Sequence, residues 1–307
     1  MEYLEYCNLG IVYGMAEPNY HSLQKLRQVL QDSFFSAIEI RDFWSYSEKE
    51  QAELRRILNI SLMEVTYETQ PLQLYNPDYN LNSPELFVRQ RTISRLKKEI
   101  DAAALLNARS VVTTSGKFVD GIPVEEQIQY LTDSLICIAS YAREKGIFLV
   151  LEPFDRDIDK KMLVGSVPHT LQIVKQVRTQ CQNFGILIDC GRFPLFLENS
   201  REMVEALGDY IMQVHIGNCV LSDPENAAYG DKHPRFGIGS SLIDAEEIAL
   251  FLKDLYDIGF LEKGGSRIIS LEARPTENEE PELMIANLKR TFVKSWMIFK
   301  RYISESR

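Results

Sequence analysis

The chain has 307 residues, a length that fits one large α/β barrel or two ordinary domains. Its 45% hydrophobic and 25% charged content is that of a soluble globular protein, and its apolar runs stop well short of the ~18 residues that span a membrane. A net charge of −10, with no Lys/Arg cluster to track a phosphate backbone, argues against nucleic acid as a partner.

The opening "MEYLEYCNLG" is acidic where a signal peptide needs a basic and then an apolar stretch, so the expected compartment is the cytoplasm. Cys7, Cys137, Cys181, Cys190 and Cys219 are odd in number and contain no CxxC pair. They read as core or bystander thiols, not as a disulfide framework or thiolate zinc site.

Eight short apolar, β-branched-rich runs alternate with stretches of helical periodicity: Tyr6 to Val12, Ala37 to Arg41, Ser61 to Tyr67, Ser110 to Thr114, Ile147 to Pro153, Gly185 to Cys190, Ile211 to Gly217 and Arg267 to Ala273. Helix starts are marked by Ser83-Pro84 and by Asp244 with Glu247, a capping-box pair. Eight strands each followed by a helix predict a parallel sheet closed into a (β/α)8 TIM barrel, and with no Gly/Ser- or Pro-rich linker the expectation is one domain over 1–307. Two connections exceed what a barrel needs, about 68–84 after the third run and about 218–241 after the seventh; long loops after strands sit at the catalytic face of this fold. The acidic run Glu277 to Glu280 reads as the solvated start of the last helix.

The last four runs share one feature. "FLVLE" ends in Glu152, "GILID" in Asp189, "IMQVH" in His215 and "IISLE" in Glu272. In a parallel barrel these ends converge on the C-terminal mouth, where three carboxylates repel one another unless a cation sits among them. Singly, Asp189 fits a turn cap, His215 a satisfied core histidine and each glutamate an arginine partner. Four such accidents at the same position of four successive strands are a weaker explanation than one metal site. Oxygen-rich ligands with a single imidazole suit Mn²⁺, Mg²⁺ or Co²⁺, and Zn²⁺ is also compatible.

With these residues in place, "LEP", "IDCGR", "VHIGN" and "SLEARP" resemble the xylose isomerase-like TIM-barrel superfamily, the sugar phosphate isomerase/epimerase and endonuclease IV group. The resemblance implies one divalent metal held by Glu152, Asp189, His215 and Glu272, with Glu152 and Glu272 also acting as the acid/base pair of a ketose 3-epimerase working through an enediolate. It implies a small sugar, sugar acid or sugar phosphate as substrate, with a homo-oligomer compatible. The alternative within the superfamily is a dehydratase of the inosose or dehydroshikimate type, which begins with the same proton abstraction. An endonuclease IV-like nuclease is disfavoured: its three-metal cluster needs more histidines than His21, His169, His215 and His233 supply.

The family commonly has a histidine three residues after the sixth-strand aspartate, where this chain has Arg192. Arg192 is therefore the leading substrate-binding candidate and implies a substrate carboxylate or phosphate. Asp231 and His233 in "GDKH" resemble the Asp-x-His pair that binds a second metal in the nucleases; substrate orientation or turn capping is the preferred reading. Arg235, Arg274 and Lys117 follow strands and are further anion-binding candidates, with Arg274 also read as a partner for Glu272 and Lys117 as a solvated loop charge. Glu39 and Glu64 read as carboxylates supporting the site, and Trp44, Tyr46, Tyr75 and Tyr79 as a lid over the sugar or as packing residues.

Overall fold

The computed structural model describes residues 2–305. Eight parallel strands follow one another round a closed barrel: β1 Asn8–Val12, β2 Ala37–Ile40, β3 Glu64–Glu68, β4 Ser110–Thr113, β5 Phe148–Leu151, β6 Phe184–Asp189, β7 Ile211–Ile216 and β8 Ile268–Leu271. All eight expected runs overlap a strand, β3 running one residue past its run and β6 starting one residue before its own. The chain packs as two compact units, one comprising residues up to Glu39 and from Asp189 onward, the other Ile40–Ile188. These boundaries fall inside β2 and at the last residue of β6, and not at a flexible linker.

In the first unit, β1 pairs with β2 and β8, and β8 pairs with β7, so that Gly10 lies level with both Ala37 and Ser270. A Cβ on Gly10 would stand 2.7 Å from the Ser270 hydroxyl and 3.1 Å from the Ala37 methyl, which is why this layer is built from small residues. The helices Ala245–Asp257 and Pro281–Glu305 cover this unit, the former opened by the expected Asp244/Glu247 capping box. In the second unit, β3, β4, β5 and β6 pair in order beneath the helices Leu86–Leu105 and Val124–Glu144.

Some local details depart from expectation. Ser61 ends the helix Glu48–Ser61, and the left-handed Leu62 (φ 56°) turns the chain, so β3 starts only at Glu64. Ser83 accepts from the Glu85 amide instead of capping directly; the helix begins at Leu86. The Glu277 to Glu280 run precedes the last helix, which starts at Pro281. No helix among the described residues is long and apolar enough to cross a membrane.

Candidate metal centre

Strands β6, β7 and β8 each end in an ionisable side chain. Asp189 is the last residue of β6 and His215 the penultimate residue of β7. Glu272 follows β8 and extends its ladder by donating its amide to the Ile216 carbonyl at 3.0 Å. Side chains alternate along a strand, and His215 lies level with Ser270, so His215 and Glu272 share a face two steps apart along the register. Their atoms meet: His215 Nδ1 is 2.9 Å from Glu272 Oε2. The other ring nitrogen, Nε2, is 2.9 Å from Oε1 of Glu39 on β2, and all three residues are buried.

This arrangement constrains the imidazole. A neutral imidazole donates through one of these nitrogens and presents a lone pair to a carboxylate oxygen at the other, which is repulsive unless a proton or cation lies between them. Ligands at the ~2.1 Å typical of Zn²⁺ or Mg²⁺ and at right angles to each other are themselves about 3 Å apart. The His215–Glu272 contact thus fits two neighbouring ligands of one ion.

A second cluster adjoins the first within the same unit. Asp189 Oδ1 accepts from the Gly191 and Gly217 amides at 2.8 and 3.2 Å, which fixes the carboxylate. Its Oδ2 lies 3.3 Å from Arg192 Nη1 and 3.6 Å from His233 Nε2. Arg192 Nε donates to Asp231 Oδ2 at 3.1 Å, its Nη2 is 3.2 Å from His233 Nε2, and Nη2 stands 4.0 Å from Glu272 Oε2. His233 Nε2 is 2.7 Å from Asp231 Oδ1. Asp189, Asp231 and His233 each offer a ligand atom within 4.8 Å of the others.

Gly217 makes room for this cluster. By alternation it faces the same way as His215, and a Cβ there would stand 2.4 Å from His233 Nδ1 and 3.0 Å from Asp189 Oδ1. His233 itself has a left-handed backbone (φ 52°), tolerated by histidine more readily than by most residues, and its carbonyl accepts from the Arg274 amide at 2.8 Å.

Crowded buried charge sets the protonation behaviour. Burial pushes the Asp189 carboxyl up to about 6, with Arg192 and His233 pulling against it. Burial also acts to raise Glu272, but the charges of His233 and His215, the His215 hydrogen bond and Arg192 outweigh it and hold Glu272 far below the usual carboxylate range. For His233, burial acts to lower the pKa and the carboxylates of Glu272, Asp231 and Asp189 reverse it, leaving a net rise.

Glu152 belongs to the other unit. It follows β5 and continues its ladder by donating its amide to the Thr113 carbonyl at 2.8 Å. Its Oε2 accepts from Gln70 Nε2 at 2.5 Å, from the short helix Gln70–Tyr75 after β3. Asp155 in the loop beyond is buried and accepts from the amides of Ile158, Asp159 and Lys160, so it organises that loop.

The remaining expected site residues differ in their surroundings. Arg235 reaches Glu279 at 2.5 Å, and Arg274 is exposed with its guanidinium against the Met15 sulfur instead of beside Glu272. Lys117 is half-buried and donates to the Lys160 carbonyl at 2.6 Å. Glu64 is exposed at the start of β3, whereas Glu39 supports His215. Trp44 donates to the Lys98 carbonyl, Tyr46 is buried, Tyr79 packs against Arg91 and Tyr75 is exposed. Cys190 is buried, with its thiol 3.6 Å from the Gly217 carbonyl.

The sequence reading missed Gln70, Gly191 and Gly217. For Gly217 the signal was present: "VHIGN" places a glycine two residues beyond the histidine, on the same face of the strand.

The protein is thus a (β/α)8 barrel with buried carboxylate and imidazole groups at the ends of β6, β7 and β8. It belongs to the xylose isomerase-like TIM-barrel family, whose model matches residues 29–286. A search of curated proteins finds no match. Among solved structures the chain is similar to an L-ribulose 3-epimerase, at 17% identity and TM-score 0.74, with 98% of this chain and 97% of that one covered. It is also similar to the D-psicose 3-epimerase of Clostridium cellulolyticum H10 crystallised with D-tagatose, at 16% identity, TM-score 0.73 and coverage of 95% and 99%. A third is the IolI protein with a bound zinc atom, at 20% identity, TM-score 0.72 and coverage of 96% and 99%. At these identities the likeness is one of fold.

Proposed function

We propose that the protein is a divalent-metal-dependent isomerase or epimerase of a small hydroxy-carbonyl sugar, with Glu152, Asp189, His215 and Glu272 holding one ion, Mn²⁺, Mg²⁺, Co²⁺ or Zn²⁺. The observation that carries the reading is His215, held at Nε2 by Glu39 with Nδ1 facing Glu272 at 2.9 Å. The epimerase neighbours, with D-tagatose in one and zinc in IolI, support the substrate class and the metal.

An ion held by these residues would polarise a substrate carbonyl and would offset the negative charge that develops when the neighbouring C–H loses its proton. The protein supplies the proton transfers. Glu272, which follows β8 beside the His215 ring, is placed as the base. Glu152, oriented by the Gln70 amide and carrying a proton taken up from solvent, delivers it to the other face of the planar enediolate while Glu272 releases the abstracted proton to solvent, and stereochemistry inverts. Asp189, fixed by two backbone amides, has no proton to move in this scheme and serves as ligand. The buried Arg192 is engaged by Asp189, Asp231 and His233, so it gives an acidic substrate no anchor, and a neutral ketose is the proposed substrate.

The test is solvent deuterium incorporation, by mass spectrometry and proton NMR, across a panel of ketoses, sugar acids and inososes with added Mn²⁺. Exchange at the carbon beside the carbonyl, with formation of the epimer and loss in Glu152→Gln, is the expected result. Exchange accompanied by loss of water identifies a dehydratase instead, and no exchange with any compound removes the reading.

A further inference from the structure

Three buried groups near the proposed ion, Asp189, Asp231 and His233, form a ligand set of their own. One guanidinium contacts all three. Arg192 presents one guanidinium nitrogen to each: Nη1 to Asp189 at 3.3 Å, Nε to Asp231 at 3.1 Å and Nη2 to His233 at 3.2 Å. Its side chain is 3% exposed, so the charge is held in the protein interior.

We propose that Arg192 is a resident cation occupying a second metal position, and that it limits this centre to a single exchangeable ion. Two features show that the position is built. The His233 backbone is left-handed, a conformation uncommon outside glycine. Gly217 leaves the volume that the His233 ring fills.

Charge balance explains why a cation is needed. Glu39, Asp189, Asp231 and Glu272 are four buried carboxylates in one unit, and a single divalent ion leaves them in excess of positive charge. An unpaired buried charge is strongly destabilising, so removing Arg192 creates a demand for another cation where three ligands already converge. Arginine is suited to the role because its planar fork meets the Asp189 and Asp231 carboxylates at once and stays protonated.

The two ligand sets share only Asp189, the charge balance rests on the ion proposed above, and one experiment separates the two. The wild type, Arg192→Met, Arg192→His and Arg192→Lys are stripped with chelator, reloaded with Mn²⁺ or Zn²⁺, desalted and analysed for metal per chain, with circular dichroism and Tm followed alongside. The metal count of the wild type tests the metal centre. The increment on removing Arg192 tests this inference. The Met and His variants are expected to retain one ion more than the wild type, with Tm raised by metal more than in the wild type. Arg192→Lys, which keeps the charge, is expected to match the wild type, and adding Asp231→Asn to Arg192→Met is expected to abolish the increment.

Unchanged stoichiometry in folded Met and His variants overturns the proposal, as does a second ion already present in the wild type. A Met variant that is unfolded without metal and not restored by it also overturns the proposal.

Discussion

Replacing Glu39 with glutamine removes one charge from the pair that orients His215 while keeping the side chain's shape. The structure sets the size of the effect. The Glu39–His215 contact is 2.9 Å with both side chains at 1% exposure or less, so water cannot substitute for the lost carboxylate. A hydrogen bond to a charged group contributes about 1.5–3 kcal/mol, and at about 1.4 kcal/mol per decade that corresponds to roughly 10–100-fold in affinity. The loss falls on the metal because a Glu39 oxygen accepting from Nε2–H makes Nδ1 a better donor; partners of this kind typically contribute 10–100-fold to metal affinity. Competition with a fluorescent chelator for Zn²⁺ or Mn²⁺ reads the change directly, with circular dichroism confirming the fold. An affinity in Glu39→Gln within about twofold of wild type, well under the ~1.4 kcal/mol decade, refutes the reasoning.

Other outcomes follow from the same geometry. Gly217→Ala places a methyl against the His233 ring and the Asp189 carboxylate and is expected to cost about 1–3 kcal/mol, measured as a lowered Tm and weaker metal binding. Gln70→Leu is expected to leave the metal count unchanged and lower kcat by about 10–100-fold, through loss of orientation of the Glu152 carboxylate, measured by deuterium exchange. Among the cysteines only Cys137 is exposed, while burial pushes Cys7 and Cys219 up to about 12. A thiol reagent at pH 8 is therefore expected to label Cys137 alone in the native protein, and peptide mapping that finds Cys7 or Cys219 modified contradicts the packing.

What the sequence revealed, and what it did not, has a physical basis. A strand buried on both faces reads as an apolar run, and a polar residue ending such a run is conspicuous, so Glu152, Asp189, His215 and Glu272 stood out without any three-dimensional information. Glu39 and His215 are 176 residues apart and meet only through barrel closure, a pairing no local pattern encodes. Gln70 is hidden for the same reason, reaching Glu152 across 82 residues. Arg192 shows a different limit. Its charge and its position three residues beyond Asp189 were visible, but a charge type does not tell whether the side chain faces a ligand or neighbouring carboxylates, and here it turns to Asp189 and Asp231. Ser61 and Glu64 were assigned by composition to strand 3 and to the site; the left-handed turn at Leu62 places Ser61 on a helix and Glu64 at the exposed start of the strand.

The central claim is the metal position, and the most direct measurement is anomalous diffraction from crystals loaded with Mn²⁺ or Zn²⁺. The account predicts one ion bound through His215 Nδ1 and an oxygen from each of Glu152, Asp189 and Glu272, at about 2.0–2.3 Å, with Nε2 still on Glu39. An ion bound through Nε2, an ion located away from these four residues, or crystals that take up no ion would contradict it.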